Sequence, residues 1–260
     1  MRPNRAGGEI MVSFVRSAAL AAVMTVGLGM GLASAEDESI PHDEEAIQTI
    51  VRDYLRENPE VIIEALQEYE RRQEEARVAD QTAAMEQYVL ALNNDPASPD
   101  NGVDDGDVTL VEFFDYQCGY CKRLFPSLVD LMESDKKLRV VFKELPILGP
   151  ASTVAARAAL ASKKQNKYME FHTALMELRG QLSEAAIMRT AKEVGLDPVQ
   201  LAADMRDPGI QEHLDRNRQI AEAIGVTGTP AMVIGSQLIP GALDKNGLKQ
   251  IIEKVRAESS

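Results

Sequence analysis

A run of β-forming residues, Val108 to Phe114, leads within four residues into Cys118-Gly-Tyr-Cys121, and helical spacing begins at the second cysteine. A strand that ends in a Cys-X-X-Cys opening a helix constrains the fold more than any other feature of the chain. It places the first sulfur where unpaired backbone N–H groups and the helix dipole favour negative charge. Cys118 is the candidate attacking thiolate, and Cys121, one turn deeper, the candidate resolving thiol. The chain has 2 cysteines in all. A loop this small restrains the unfolded chain little, so stapling is a poor reason for the pair. Half a zinc site needs further Cys or His ligands, and only His42, His172 and His213 remain, none closely paired. Reversible thiol chemistry is the reading the residues favour.

The N-terminus reads as an export signal over residues 1–35. Arg2, Arg5 and Arg16 precede an apolar run from Ser17 to Leu32, followed by the small-residue cleavage site Ala33-Ser34-Ala35, with either Met1 or Met11 as the start. The run is short and Gly-rich beside the ~20 strongly apolar residues of a membrane span. Export to an oxidising compartment allows the two thiols to form a bond. A formal charge of -13 repels phosphates, and with 5% aromatic residues and no Trp there is little on which bases could stack, so no nucleic-acid partner is expected.

Downstream, residues 36–92 read as a helical arm. Ile47, Ile50, Val51, Tyr54 and Leu55 recur at threes and fours, and Asn58-Pro59 then starts a second helix carrying Val61, Ile62, Leu66 and Tyr69. The stripe fades after Tyr69, and Glu70 to Gln81 is almost wholly polar, a solvated or bridging helix. Amphipathic helices of this kind must cover their apolar faces on the main domain or on copies of themselves. Asn93 to Gly106 is a linker by composition. The order after it is strand (Val108 to Phe114), helix, strand (Leu138 to Leu145), a helical block from Ser152 to Ile224, a hairpin around Gly235-Ser236, and a last helix from Lys245 to Arg256. Met169, Met176 and Met188 follow helical faces and read as core packing. His172, in helical register with Tyr168 and Leu175, reads as a core or surface residue.

Three motifs, EFFDYQCGYCK at Glu112 to Lys122, ELPILGPAS at Glu144 to Ser152 and GTP at Gly228 to Pro230, resemble in order and spacing the DsbA-like branch of the thioredoxin superfamily. The resemblance covers residues 107–258 and implies an α/β thioredoxin fold with an inserted helical domain at about 151–224, preceded here by the N-terminal arm. It implies no cofactor. It further implies a cis Thr229-Pro230 beside the reactive sulfur, with the Thr229 backbone offered to an extended substrate, and Tyr120 as a second substrate contact or simply an aromatic packed on its own helix. Glu112 and Lys143 match a buried acid and a basic neighbour tied to deprotonation of the resolving cysteine, and burial of both predicts that they pair. Pro126 matches a proline that kinks the active-site helix.

The arm, through IVRDYLRENPEVIIEAL and LNNDPASP, is similar to the suppressor-of-copper-sensitivity protein C group, some of whose members are trimers built on such an arm. With the Gly-Tyr dipeptide and the Thr before the proline, this implies a periplasmic disulfide isomerase or reductase, a homo-oligomer, possible as a trimer, acting on disulfide-containing proteins and recharged by a membrane thiol reductase. The alternatives are a dithiol oxidase that donates its disulfide to new proteins, and a copper-tolerance protein holding Cu(I) on Cys118 and Cys121.

Overall fold

The computed structural model describes residues 44–258, so the export signal, its cleavage site and His42 lie outside the described residues. The chain divides into two compact units between Val61 and Ile62. The first contains helix α1 (Glu44–Glu57), which has no buried residue. Its apolar stripe, Ile47, Ile50, Val51 and Tyr54, is exposed. Helix α2 (Glu60–Asn93) begins just after Asn58-Pro59 and is unbroken for 34 residues; the Asn58 side chain does not take the expected N-cap bond but donates back to Tyr54 O, at 2.9 Å.

Within the second unit, the polar stretch of α2 is held as helix by its own charges. Arg71 bonds both Glu68, at 2.8 Å, and Glu75, while Arg72 reaches Glu68 and Arg77 reaches Glu74, each at 2.6 Å. These are i,i+3 and i,i+4 pairs, the spacings that meet on a helix surface. Ile62, Ile63, Leu66 and Tyr69 remain exposed. An apolar stripe then resumes: Met85 and Leu92 are buried, and Ala84, Tyr88 and Ala91 are partly so, against Val111, Phe113, Val141 and Val233. The last turns of the arm helix are therefore core, and the helix ends at Asn93.

Strands β1 (Val108–Phe114) and β2 (Leu138–Glu144) pair in parallel, β1 pairs antiparallel with β3 (Ala231–Ile234), and β3 with β4 (Gln237–Pro240), giving the order β2-β1-β3-β4. Gly235, at φ 60°, makes the hairpin turn where a side chain would be strained. Between β1 and β2 lies α3 (Gly119–Ser134), with Pro126 in its interior. Between β2 and β3 lie α4 (Pro150–Ser162), α5 (Tyr168–Glu177), α6 (Glu184–Glu193), α7 (Pro198–Asp204) and α8 (Pro208–Ala223), and α9 (Lys245–Glu258) ends the fold. The fold is a thioredoxin fold with a helical insertion. Asp197 and Asp207 cap α7 and α8 ahead of their prolines. Met176 is buried, and Met169 and Met188 pack against the same core.

The expected linker is built into the sheet. Asp100 bridges Val141, Phe142 N–H donates to Pro99 O at 2.9 Å and Asn101 N–H to Val140 O at 3.1 Å, so the outer edge of β2 is covered.

The expected Glu112–Lys143 pair does not form. Lys143 is opposite Phe113 in the register, whereas Glu112 is opposite Phe142. Side chains alternate across a sheet, so the two residues face opposite layers. Glu112 shares its face with Leu110, Phe114 and Phe142, in the core that includes α3. The fully buried Lys143 ammonium donates to Ala91 O at 2.6 Å, Ser98 Oγ at 2.7 Å and Asp95 Oδ2 at 3.2 Å. Arg139, also from β2, donates to Asn93 O. Helix α2 has no basic residue in its own last turn, so these two cations of β2 cap its carbonyl end. Lys143 is a clasp between β2 and α2. Lys143→Ala leaves the Asp95 carboxylate buried without its cation and is expected to cost about 3 kcal/mol in urea unfolding. A loss below about 1 kcal/mol, the range of exposed pairs, would contradict the clasp.

Candidate active site

Strand β1 ends at Phe114, and the next three residues carry the chain to Cys118, the N-cap of α3. Cys118 has extended φ/ψ of -72° and 112°, the conformation of a capping residue, and its sulfur accepts the Cys121 N–H at 3.4 Å. The same sulfur lies 3.1 Å from Thr229 O, to which the thiol donates. Thr229-Pro230 is a cis peptide bond, and Pro230 is buried. Helix cap, second cysteine and Thr-Pro loop thus meet at one sulfur. Both cysteines are free; Cys118 is 6% exposed and Cys121 is 0% exposed.

The two thiols differ in their surroundings. Burial pushes the Cys121 thiol far up, as does the neighbouring Glu112 charge, while a backbone hydrogen bond from Asp115 works the other way. Glu112 is fully buried, neither carboxyl oxygen has a hydrogen-bond partner, and desolvation raises it to about 8. Near neutrality it therefore holds its proton beside Cys121. Lys143, on the other face, does not neutralise it.

Tyr120 is 62% exposed, and the Arg123 guanidinium sits over its ring, 4.1 Å from the centroid. Of its two expected settings, Tyr120 has the contact with its own helix, and it is open to solvent as well. His172 is a core residue, with Nδ1 2.9 Å from Tyr116 Oη and its ring lowered to about 3 by burial. His213 is likewise buried, beside Asp95 at 3.5 Å.

Several residues that build the site carry little sequence signal. The buried Asp115 carboxylate accepts N–H bonds from Gln117 at 2.7 Å and from Ile147 and Leu148 at 2.9 Å, and the Ser152 hydroxyl at 2.6 Å. It knots the loop before Cys118 to the Pro146–Pro150 turn, and Gln117 adds a bond to Leu148 O at 3.1 Å. Lys122 donates to Leu175 O, Met176 O and Leu178 O at 2.9, 3.1 and 2.9 Å, tying the first turn of α3 to the carbonyl end of α5. An acid three residues before a Cys-X-X-Cys motif or a lysine just after it reads as solvated until the partners are folded against it.

Comparison with known proteins agrees with this geometry. The DSBA-like thioredoxin domain matches residues 109–253, more than half of the chain. The chain belongs to this family. A second match, the copper resistance protein ScsC N-terminal domain, covers residues 43–76. Among solved structures of DSBA-like and related proteins, a thioredoxin-like oxidoreductase from Silicibacter pomeroyi is 42% identical, with TM-score 0.63, over 65% of this chain and 97% of that one. Proteus mirabilis ScsC in a compact conformation is 31% identical, with TM-score 0.63, over 84% of this chain and 100% of that one. A Na(+)/H(+) antiporter NhaA of Herminiimonas arsenicoxydans is 29% identical over 60% of this chain, and the chain spans only 25% of that protein's length. This DSBA-like protein is a thiol-disulfide oxidoreductase of the DsbA and ScsC type.

The raised Glu112 makes stability depend on pH. The folded state keeps its proton to about 8, whereas the unfolded chain gives it up near the ordinary value of 4.5. Between these limits the folded state binds more protons, so stability falls as pH rises, by up to about 1.4 kcal/mol per pH unit. Glu112→Gln is expected to remove this one-proton slope and to be more stable than the parent at pH 7, while the slope due to the second raised carboxyl, Glu144, remains. Denaturant unfolding from pH 5 to 8 checks it; an unchanged slope contradicts an uncompensated Glu112.

Proposed function

We propose that the protein is a periplasmic disulfide isomerase or reductase that works as a homo-oligomer joined through its N-terminal helices. The observation that carries the reading is the pair of unpartnered apolar stripes on those helices, Ile47, Ile50, Val51 and Tyr54 on α1 and Ile62, Ile63, Leu66 and Tyr69 on α2, all exposed in the single chain. Water-exposed faces of this kind call for a partner surface, and a second copy supplies an identical one. The ScsC N-terminal match covers these same residues. Residues 1–35 act as the export signal, residues 36–92 as the arm, and residues 107–258 as the catalytic domain.

In the reaction, the Cys118 thiolate attacks one sulfur of a substrate disulfide, forming a Cys118–substrate disulfide and releasing the other substrate sulfur as a thiolate. Two resolutions compete. If Cys121 loses its proton and attacks Cys118, the substrate leaves reduced and the enzyme is left with a Cys118–Cys121 disulfide, which a membrane thiol reductase must reduce. If another substrate thiolate attacks first, the substrate leaves with a rearranged disulfide and Cys118 is regenerated. The buried, hard-to-ionise Cys121 slows the first route and lengthens the life of the mixed disulfide. That favours rearrangement. The Thr229 backbone, at the sulfur, is the place for an extended substrate to pair, with Tyr120 flanking it.

The parent protein is expected to be oligomeric by light scattering and to refold scrambled multi-disulfide protein. Ile50→Asp with Tyr54→Asp should give a monomer that still reduces a small disulfide but loses at least about tenfold in isomerase activity, since charges on the joining face oppose assembly. Full isomerase activity in a monomeric variant, or a pair found mainly oxidised in cells, sinks the isomerase reading and leaves the dithiol oxidase.

A further inference from the structure

Beneath the active-site loop lies a buried polar cluster that the exchange reaction as described does not use. Tyr116 and Tyr168 both donate their hydroxyls to Glu144 Oε1, at 2.9 and 3.0 Å. Tyr116 Oη is also 2.9 Å from His172 Nδ1. Tyr116 has one hydroxyl proton, committed to Glu144, so His172 must donate from Nδ1, and its Nε2 is left buried without a partner. Exposures are 1% for Tyr116 and Glu144, 6% for Tyr168 and 0% for His172.

The cluster joins three parts of the fold. Glu144 is the last residue of β2, Tyr168 and His172 belong to the insertion helix α5, and Tyr116 stands two residues before Cys118. Its rings are packed as well as bonded: Tyr116 meets Phe114 edge-on at 5.2 Å, and His172 stacks on Tyr168 at 5.5 Å and meets Phe125 of α3 at 5.2 Å. Burial holds the Glu144 carboxyl well above its usual range, the two tyrosine hydroxyls pull it down, and the nearby Asp115 and Glu112 carboxyls add to the rise.

Only one of the two hydroxyls leads to the reactive sulfur. Between Tyr116 and Cys118 the chain makes a single tight turn, in which Cys118 N–H donates to Asp115 O at 3.0 Å. The direction of the Cys118 sulfur toward Cys121 N–H and Thr229 O depends on where this turn is pinned. Asp115 pins it from the side of the Pro146–Pro150 turn, and Tyr116 pins it from below.

We infer that Tyr116, held by Glu144 Oε1, is a positioning residue for thiol-disulfide exchange, setting the aim of the Cys118 sulfur, whereas Tyr168, bonded to the same oxygen, serves the fold alone. The inference deepens the reading of Cys118 as the attacking thiol and rests on it.

The test compares Tyr116→Phe with Tyr168→Phe in the full-length reduced protein, since each removes one hydroxyl from Glu144. Two quantities are measured at pH 7: the rate of attack on an aromatic disulfide reagent and the melting temperature. Both variants are expected to melt below the parent. Tyr116→Phe is expected to react about tenfold more slowly, the worth of one buried hydrogen bond, and Tyr168→Phe to stay within about twofold of the parent. Glu144→Gln, whose amide oxygen can accept both hydroxyls, should also stay within about twofold, and Glu144→Ala should match Tyr116→Phe. Equal rates in the two tyrosine variants, whether both normal or both slow, overturn the inference, as does Glu144→Gln as slow as Glu144→Ala. Should Tyr116→Phe fail to fold, the Glu144 pair carries the same contrast. Cys118→Ala separates the underlying reading: if it reacts at the parental rate, Cys118 is not the attacking thiol, whatever the tyrosines do.

Discussion

The Cys118 sulfur caps a helix and touches a loop more than a hundred residues away, and the rest of the site is arranged around that double contact. Its bond from Cys121 N–H belongs to the helix end, where a backbone donor lacks an intrahelical partner. Its bond to Thr229 O brings in the strand hairpin from the far side of the insertion. Both hold at once because β1 and β3 are neighbours in the sheet, which brings the end of β1 and the start of β3 to one edge of the site. The antiparallel register, with Phe113 opposite Ala231, then sets the end of β1 beside the start of β3.

Around this point the protein has set two kinds of buried polar group. Asp115 and Lys122 are saturated: each makes several hydrogen bonds that lock loops and helix ends to the active-site turn. Glu112 is unsatisfied and raised by its own burial, and Cys121 is raised first by its burial and then by the neighbouring Glu112. Saturated groups give a rigid frame, while an unsatisfied one holds free energy that a change in the neighbouring thiol can release. Separating the roles accounts for a rigid reactive turn set against a resolving thiol that is slow to ionise.

Much of this was legible before folding. The strand running into Cys-X-X-Cys, the Asn58-Pro59 break, the Gly235 hairpin and the Asp-Pro helix starts are local signals, each decided by neighbours in sequence, and each element formed where the signal stood. What could not be read was long-range. Glu112 and Lys143 sit on adjacent strands, and the sequence match paired them; register and the period-two alternation of side chains send them to opposite faces. The stripe of Ala84, Met85, Tyr88, Ala91 and Leu92 is weak in composition, and its role emerges only against the second face of the sheet. Likewise Glu144 stood within a recognised motif, but its partners Tyr116 and Tyr168 lie 28 and 24 residues away.

The division of labour between the two cysteines is the central claim, and a brief alkylation pulse tests it most directly. Reduced protein is exposed at pH 7 to limiting iodoacetamide, quenched, and mapped by peptide mass spectrometry. The buried, hard-to-ionise Cys121 should stay unlabelled while Cys118 takes up the reagent. Label on Cys121 first, or on both at equal rates, would contradict the assignment of attacking and resolving thiol.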